Sequence, residues 1–169
     1  VTDKEAVDSV FANHEIDSVI HFAGLKAVRK SAEKPLAYYY NNLVSTMILA
    51  ESFQKYDVRR FVYSSTATVY GEKEVPFVES MDLLLKTYPY GETKAMSEQF
   101  LTDIVKADPT FSVSLLRYFN PVRTHESGLI GEELHGIPNN LMLFVTQVAN
   151  CNLKKLRVFG SDYPTVDGT

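Results

Sequence analysis

Tyr90 and Lys94 stand four residues apart in YPYGETK, residues 88 to 94, with Pro89 just before them. A proline in the first turn of a helix costs little, because the N–H it lacks would have no intrahelical acceptor there. A helix beginning near Pro89 therefore sets Tyr90 and Lys94 one above the other on one face. A phenol ordinarily titrates near ~10, too high for a base at neutral pH. A close ammonium stabilises phenolate and lowers that value. The pair could then take a proton from a substrate hydroxyl. Tyr-x-x-x-Lys also arises by chance on solvated helix faces, so by itself the motif favours an ordinary helix start.

Two further stretches carry polar or bare backbone positions. SSTATVYG (64–71) sets three hydroxyls, Ser64, Ser65 and Thr66, at the end of an apolar run. Hydroxyls both donate and accept hydrogen bonds, and they equally cap a following turn. FAGLKAV (22–28) places Gly24 after another apolar run. Glycine lets a flat ligand approach the backbone, although a plain tight turn accounts for it too. His14, His21, His125 and His135 show no metal-ligand spacing, which leaves them core or loop roles.

The elements that must position these residues follow from periodicity. Ala6, Val7, Val10 and Phe11 give helical spacing over 3–13, and IDSVIHFA (16–23) reads as a buried strand. After Pro35, the residues Leu36, Tyr40, Leu43, Val44, Met47, Ile48 and Phe53 form a helical stripe. Tyr38, Tyr39 and Tyr40 read as packing residues of that helix. RRFVYSS (59–65) reads as a second strand and FSVSLLRYF (111–119) as a third, with a turn and loop over 66–88. The helix over 90–107 carries Met96, Phe100, Leu101, Ile104 and Val105 on one side. A long loop runs to Pro138, residues 139–150 are helical, and LRVFG (156–160) reads as a short strand. Strands alternating with helices, the first three strands largely apolar, indicate a parallel sheet with helices on both faces. This is an α/β fold of the doubly wound type. Ligands of such sheets sit beyond the carboxyl ends of the strands, where Phe22, Ser65 and Phe119 stand.

Composition excludes several classes. The 169 residues suffice for one domain, and the formal net charge of −4 gives no steering toward nucleic acid or an anionic membrane. No apolar run is long enough to span a bilayer. Cys151 is the only cysteine, which excludes an internal disulfide and a thiolate metal cluster and points to a cytoplasmic chain. The start at Val1 and the loop-like DYPTVDGT at the end suggest one partial domain over 1–169, cut at both ends.

Taken in order, FAGLKAV, PLAYYYNN, SSTATVYG, YPYGETK, LLRYFNP, GIPNNL and RVFGSDYPTVDGT closely resemble the UDP-glucose 4-epimerases, in the extended branch of the short-chain dehydrogenase/reductases. The resemblance runs over the whole chain and implies a partial Rossmann-type sheet with a retained NAD. It implies that Phe22, Ala23, Gly24, Leu25 and Lys26 lie at the cofactor, with Asn41 and Phe119 also touching it. Thr66 would meet cofactor and sugar. Tyr90 would be the base, and Lys94 would hold the nicotinamide ribose and tune the tyrosine. Asn120, Asn140, Leu141, Arg157, Val158 and Phe159 would hold the UDP-sugar. Tyr90 would take the proton of the sugar 4-hydroxyl while hydride passes to NAD. The 4-keto sugar would turn over and receive hydride on its other face. The resemblance also implies a homodimer formed through the helices near 36–56 and 90–107.

The chain departs from the pattern in places. It holds no GxxGxxG to cradle a pyrophosphate, so by itself it is expected neither to bind NAD tightly nor to turn over. NPVRTHESG puts Arg123 and Thr124 where the family reads glycine and alanine. Related dehydratases need an Asp-Glu pair where Ala67 and Thr68 stand, and neither residue can move protons that way. An epimerase for another UDP-sugar and a non-catalytic remnant remain alternatives.

Overall fold

The computed structural model describes residues 1–83, 88–121, 125–129, 141–158, 160, 162, 163, 166 and 168. Their contacts gather into two compact units, Val1–Phe119 and Asn120–Thr169. The first unit runs α1 (Lys4–Asn13), β1 (Ser18–His21), α2 (Val28–Glu33), α3 (Pro35–Tyr56), β2 (Arg60–Thr66), a 3₁₀ turn (Ala67–Tyr70), α4 (Pro89–Ala107) and β3 (Ser112–Tyr118). In the second unit the described helix is α5 (Leu141–Ala149).

The three strands form one parallel sheet in the order β1-β2-β3. His21 lies opposite Tyr63, Ser65 opposite Arg117 and Thr66 opposite Tyr118. Strand β1 is shorter than the apolar run that announces it. Its pairing ends at His21, and Phe22 beyond the ladder is 63% exposed. Each helix end has a local cause. The Asp3 side chain accepts the Ala6 N–H at 3.0 Å and caps α1. Pro35 and Pro89 open α3 and α4, and Asp57 ends α3 in the left-handed conformation at φ 58°.

Side chains alternate across β2, so Phe61, Tyr63 and Ser65 point one way and Val62 and Ser64 the other. Phe11 of α1, Leu49 and Phe53 of α3 and Leu101 of α4 close over Phe61 and Tyr63. Phe53 meets Phe61 edge-on, with ring centroids 4.6 Å apart. Burying each such side chain contributes about 1.5–3 kcal/mol. Of the two helical layers the alternation implies, this unit contains the one on the Phe61 side. On the opposite face Ile20, Leu116 and Tyr118 stay exposed.

Two faces differ from the periodic reading. On α3 the buried positions are Tyr38, Asn42, Ser45, Thr46, Ile48, Leu49, Ala50, Ser52 and Phe53, so Ile48 and Phe53 of the expected stripe are buried, whereas Leu36, Tyr40 and Met47 are exposed. The apolar stripe is real, but much of it faces outward, because α4 packs on the small polar side of α3. Tyr38 is a packing residue, with its hydroxyl donating to the Ala27 carbonyl at 2.8 Å; Tyr40 is not. Met96 likewise leaves the buried side of α4, while Leu101 stays in the core. The expected strand at LRVFG is corrected: Leu156, Arg157 and Val158 carry no regular structure. A strand needs a ladder partner, and the second unit shows none among the described residues.

Candidate active site

The first unit gathers polar groups where the carboxyl ends of β1 and β2 meet the first turns of α4. Lys94 is buried there at 5% exposure. Its ammonium donates to the Ser64 carbonyl at 2.7 Å and sits 4.6 Å from the Tyr63 ring centroid. Burial pulls the Lys94 pKa down to about 8. Tyr90, one turn earlier, lies beside Thr66. Burial raises the phenol above its ordinary value, and the Thr66 hydroxyl opposes that shift. The direction is the reverse of that expected from the motif. Lys94 is turned toward Ser64 and Tyr63, so its charge does not relieve the desolvated phenol.

The three hydroxyls of β2 divide their work. Thr66 Oγ1 accepts the Thr68 N–H at 3.3 Å and so caps the 3₁₀ turn, while its residue also faces Tyr90. Ser65 points to the helix side, where its hydroxyl donates to Glu98. Ser64 offers its carbonyl to Lys94.

Asn42 was not among the expected site residues, yet it organises this corner. Its Oδ1 accepts the Leu25 N–H at 2.8 Å, and its Nδ2 donates to the Leu25 carbonyl and to Thr93 Oγ1, each at 3.1 Å. Asn41, which was expected, donates to Asn42 Oδ1 at 3.0 Å. A Cβ built on Gly24 would meet Asn42 Oδ1 at 3.2 Å and Lys94 Nζ at 3.8 Å. Glycine thus lets α3 and α4 bring polar groups onto the end of β1. The sequence signal for Asn42 was a polar residue recurring with Tyr38, Ser45 and Leu49 at helical spacing.

His21 is buried between the sheet and α3. Its Nε2 lies 3.1 Å from Thr46 Oγ1, which itself donates to the Asn42 carbonyl at 2.8 Å. The threonine hydrogen is therefore taken, and His21 donates from Nε2. Burial first, then the Lys94 charge, lower the His21 pKa to about 4. The unfolded chain binds this proton below about pH 6.5 and the folded chain refuses it until about pH 4. His21 thus contributes stability above pH 6.5 that is lost as pH falls toward 4. His21→Gln should lose about 3 kcal/mol less stability than the parent between about pH 7 and pH 4 in urea titrations. Equal losses would refute the assignment.

Beside Lys94, Tyr63 Oη is fully buried and meets no hydrogen-bond partner among the described residues, with the Ser97 and Thr46 hydroxyls close by but outside bonding geometry. Burial pushes this phenol up to about 12.

At the strand ends, Phe22 pairs with Tyr118 and Phe119 stacks on Phe77, leaving Phe22 and Phe119 63% and 66% exposed. Ala23, Leu25 and Lys26 are also exposed. Asn120, Leu141, Arg157 and Val158 belong to the second unit and are exposed. Asn140 and Phe159, with Arg123 and Thr124, lie outside the described residues. A charged groove between α1 and α3 is a solvated face, where Lys55 pairs with Asp8 at 2.8 Å. Among the described residues no group of three or more His, Cys, Asp or Glu could hold a metal, and no helix is long and apolar enough to cross a membrane.

The UDP-glucose 4-epimerase of Bacillus subtilis (strain 168) is 58% identical over 167 residues, which cover 99% of this chain and 49% of that protein. The crystal structure of UDP-glucose 4-epimerase from Bifidobacterium longum, in complex with NAD+ and UDP, superposes with a TM-score of 0.93 at 50% identity. It is matched over 99% of this chain and 50% of its own. The enzyme from Stenotrophomonas maltophila, with bound NAD and formylated UDP-arabinopyranose, gives 0.91 at 43% identity, with the same two shares. The chain thus spans about half the length of the curated relatives it matches. The sequence model of one family, described as GDP-mannose 4,6 dehydratase, matches residues 1–169. At the position where dehydratases need an acid/base pair, Ala67 opens the 3₁₀ turn and the Thr68 hydroxyl donates to Thr66. With the whole length matched, the chain belongs to the GDP-mannose 4,6 dehydratase family, and within it the likeness is to UDP-glucose 4-epimerases.

Proposed function

We propose that the full-length protein interconverts UDP-glucose and UDP-galactose by NAD-dependent epimerisation at the sugar 4-carbon. The observation that carries this reading is the buried Lys94 one turn beyond Tyr90, beside Thr66 at the carboxyl edge of a parallel sheet. The likeness to structures holding NAD and UDP supports it.

The residues fit NAD. The bare Cα of Gly24 opens the end of β1 toward Lys94, and Phe22 and Phe119 present apolar surface beside it. Ala23, Leu25, Lys26 and Asn41 complete that side, with Thr66, Tyr90 and Lys94 facing the reacting end. NAD, when bound, would supply reversible hydride-acceptor chemistry for the sugar 4-carbon. Tyr90 takes the proton of the 4-hydroxyl and later gives it back. Thr66 holds that hydroxyl in line with the phenol. Lys94 would bind ribose hydroxyls; turned toward the Ser64 carbonyl and the Tyr63 ring, its charge does not favour phenolate before a ligand arrives. By the resemblance, Asn120, Asn140, Leu141, Arg157, Val158 and Phe159 would hold the UDP-sugar in the full-length protein. The test follows UDP-glucose formed from UDP-galactose by the full-length protein; no interconversion overturns the proposal.

The same reading makes the protein a homodimer. Leu36, Tyr40 and Met47 form an exposed apolar stripe on α3, and exposed Met96 lies on α4. Met47→Glu should shift the full-length protein from dimer to monomer in sedimentation equilibrium. A parent that sediments as a monomer rejects the dimer.

A further inference from the structure

Lys94 and Glu98 lie four residues apart on α4, both buried, the spacing at which a lysine and a glutamate ordinarily pair along a helix. They do not pair. Glu98 is 2% exposed, and its carboxylate faces β3, where Arg117 Nη2 donates to Oε2 at 2.8 Å. Arg117 Nε adds contacts to both oxygens at 3.2 and 3.1 Å, and the Ser65 hydroxyl donates to Oε1. Ser65 and Arg117 are direct partners across the β2–β3 ladder, so one carboxylate from α4 binds both strands. The guanidinium is held in turn. It donates from Nη1 to the Glu79 carbonyl at 3.1 Å and lies 4.9 Å from the Tyr70 ring centroid.

We propose that Arg117 is a positioning residue that holds Glu98 away from Lys94, so that the carboxylate does not neutralise the lysine's charge at the reacting site. This deepens the proposed function, on which the catalytic role of Lys94 rests. The groups beside the Lys94 ammonium are His21 on β1 and Tyr63 on β2; Tyr90 and Glu98 lie one turn to either side on its own helix, with the carboxylate turned to β3, and Tyr38 of α3 faces Tyr90. His21 is neutral at physiological pH and the two phenols beside Lys94 are raised, which leaves Glu98 as the anion within helical reach. A paired Lys94 would stay protonated more firmly, and the carboxylate would neutralise the charge it offers a bound ligand. Arg117 prevents both by giving Glu98 a cationic partner on the β3 side, away from Lys94.

The test measures the Lys94 titration by NMR in full-length protein carrying ¹³C-labelled lysine, the signal identified by its loss in Lys94→Met. Arg117→Met keeps an unbranched apolar body but no charge. It should raise the Lys94 pKa by roughly 1 to 3 units as Glu98 swings to it. Adding Glu98→Gln should return the value to that of the parent, and Arg117→Lys, which keeps the charge, should move it little. An unmoved Lys94 in Arg117→Met overturns the proposal. So does a shift that persists in Arg117→Met/Glu98→Gln, or one equally large in Arg117→Lys. The titration needs no turnover, so a parent without epimerase activity would sink the functional reading while leaving this result to stand or fall separately.

Discussion

Tyr90→Phe in the full-length protein is expected to lower turnover by roughly 10² to 10⁴ while NAD remains bound. The substitution removes one oxygen and leaves the ring in place. Lys94 keeps both its contacts, because they go to the Ser64 carbonyl and the Tyr63 ring and not to Tyr90. Thr66 keeps its place through the Thr68 N–H. What disappears is the atom that carries the proton, so kcat should fall with little change in cofactor content. The phenol is raised by burial, so the parent's rate should climb with pH as phenolate forms, and the variant should lose that limb. The checks are steady-state kinetics across pH and the NAD released on denaturation. Turnover within about tenfold of the parent would remove Tyr90 from the role of base.

Glu98→Ala should destabilise the protein by about 3–5 kcal/mol. The Arg117 side chain is 16% exposed and would be left without its anion, while Ser65 would lose its acceptor. An uncompensated buried charge costs more than the pair itself contributes, because water is not there to replace the lost partner. The loss is a large share of a typical domain's stability of about 5–15 kcal/mol. Glu98→Gln keeps an acceptor for Ser65 and part of the arginine contact, so it should cost less, about 1–3 kcal/mol. Urea midpoints read both. A Glu98→Ala midpoint matching the parent's would show that the pair is not a structural centre.

Much of this was legible in the sequence because it depends on short-range rules. Pro35 and Pro89 marked helix starts, β-branched and aromatic runs marked the three strands, and the four-residue spacing put Tyr90 and Lys94 on one face. What the sequence hid depends on partners distant along the chain. The outward turn of Leu36, Tyr40 and Met47 follows from α4 packing on the polar side of α3, which no single stripe reveals. Asn42 matters through Leu25 and Thr93, 17 and 51 residues away. The six-residue α2 was missed because a helix this short shows no usable period. The upward shift of Tyr90 was hidden because spacing tells where Lys94 starts, not that its ammonium reaches Ser64.

The middle place of β2 sets the order in which this fold loosens. Its amides and carbonyls are engaged on both sides, with β1 and with β3, over Arg60–Tyr63. Among the described residues β1 and β3 each have one such neighbour, so they can open to solvent and reclose while β2 stays paired. Ser64 and Thr66 follow directly on that doubly paired stretch and pair with β3. Backbone protons of Phe61 and Tyr63 should therefore persist longest in heavy water, and fluctuations at the outer strands leave the Lys94 acceptor in place.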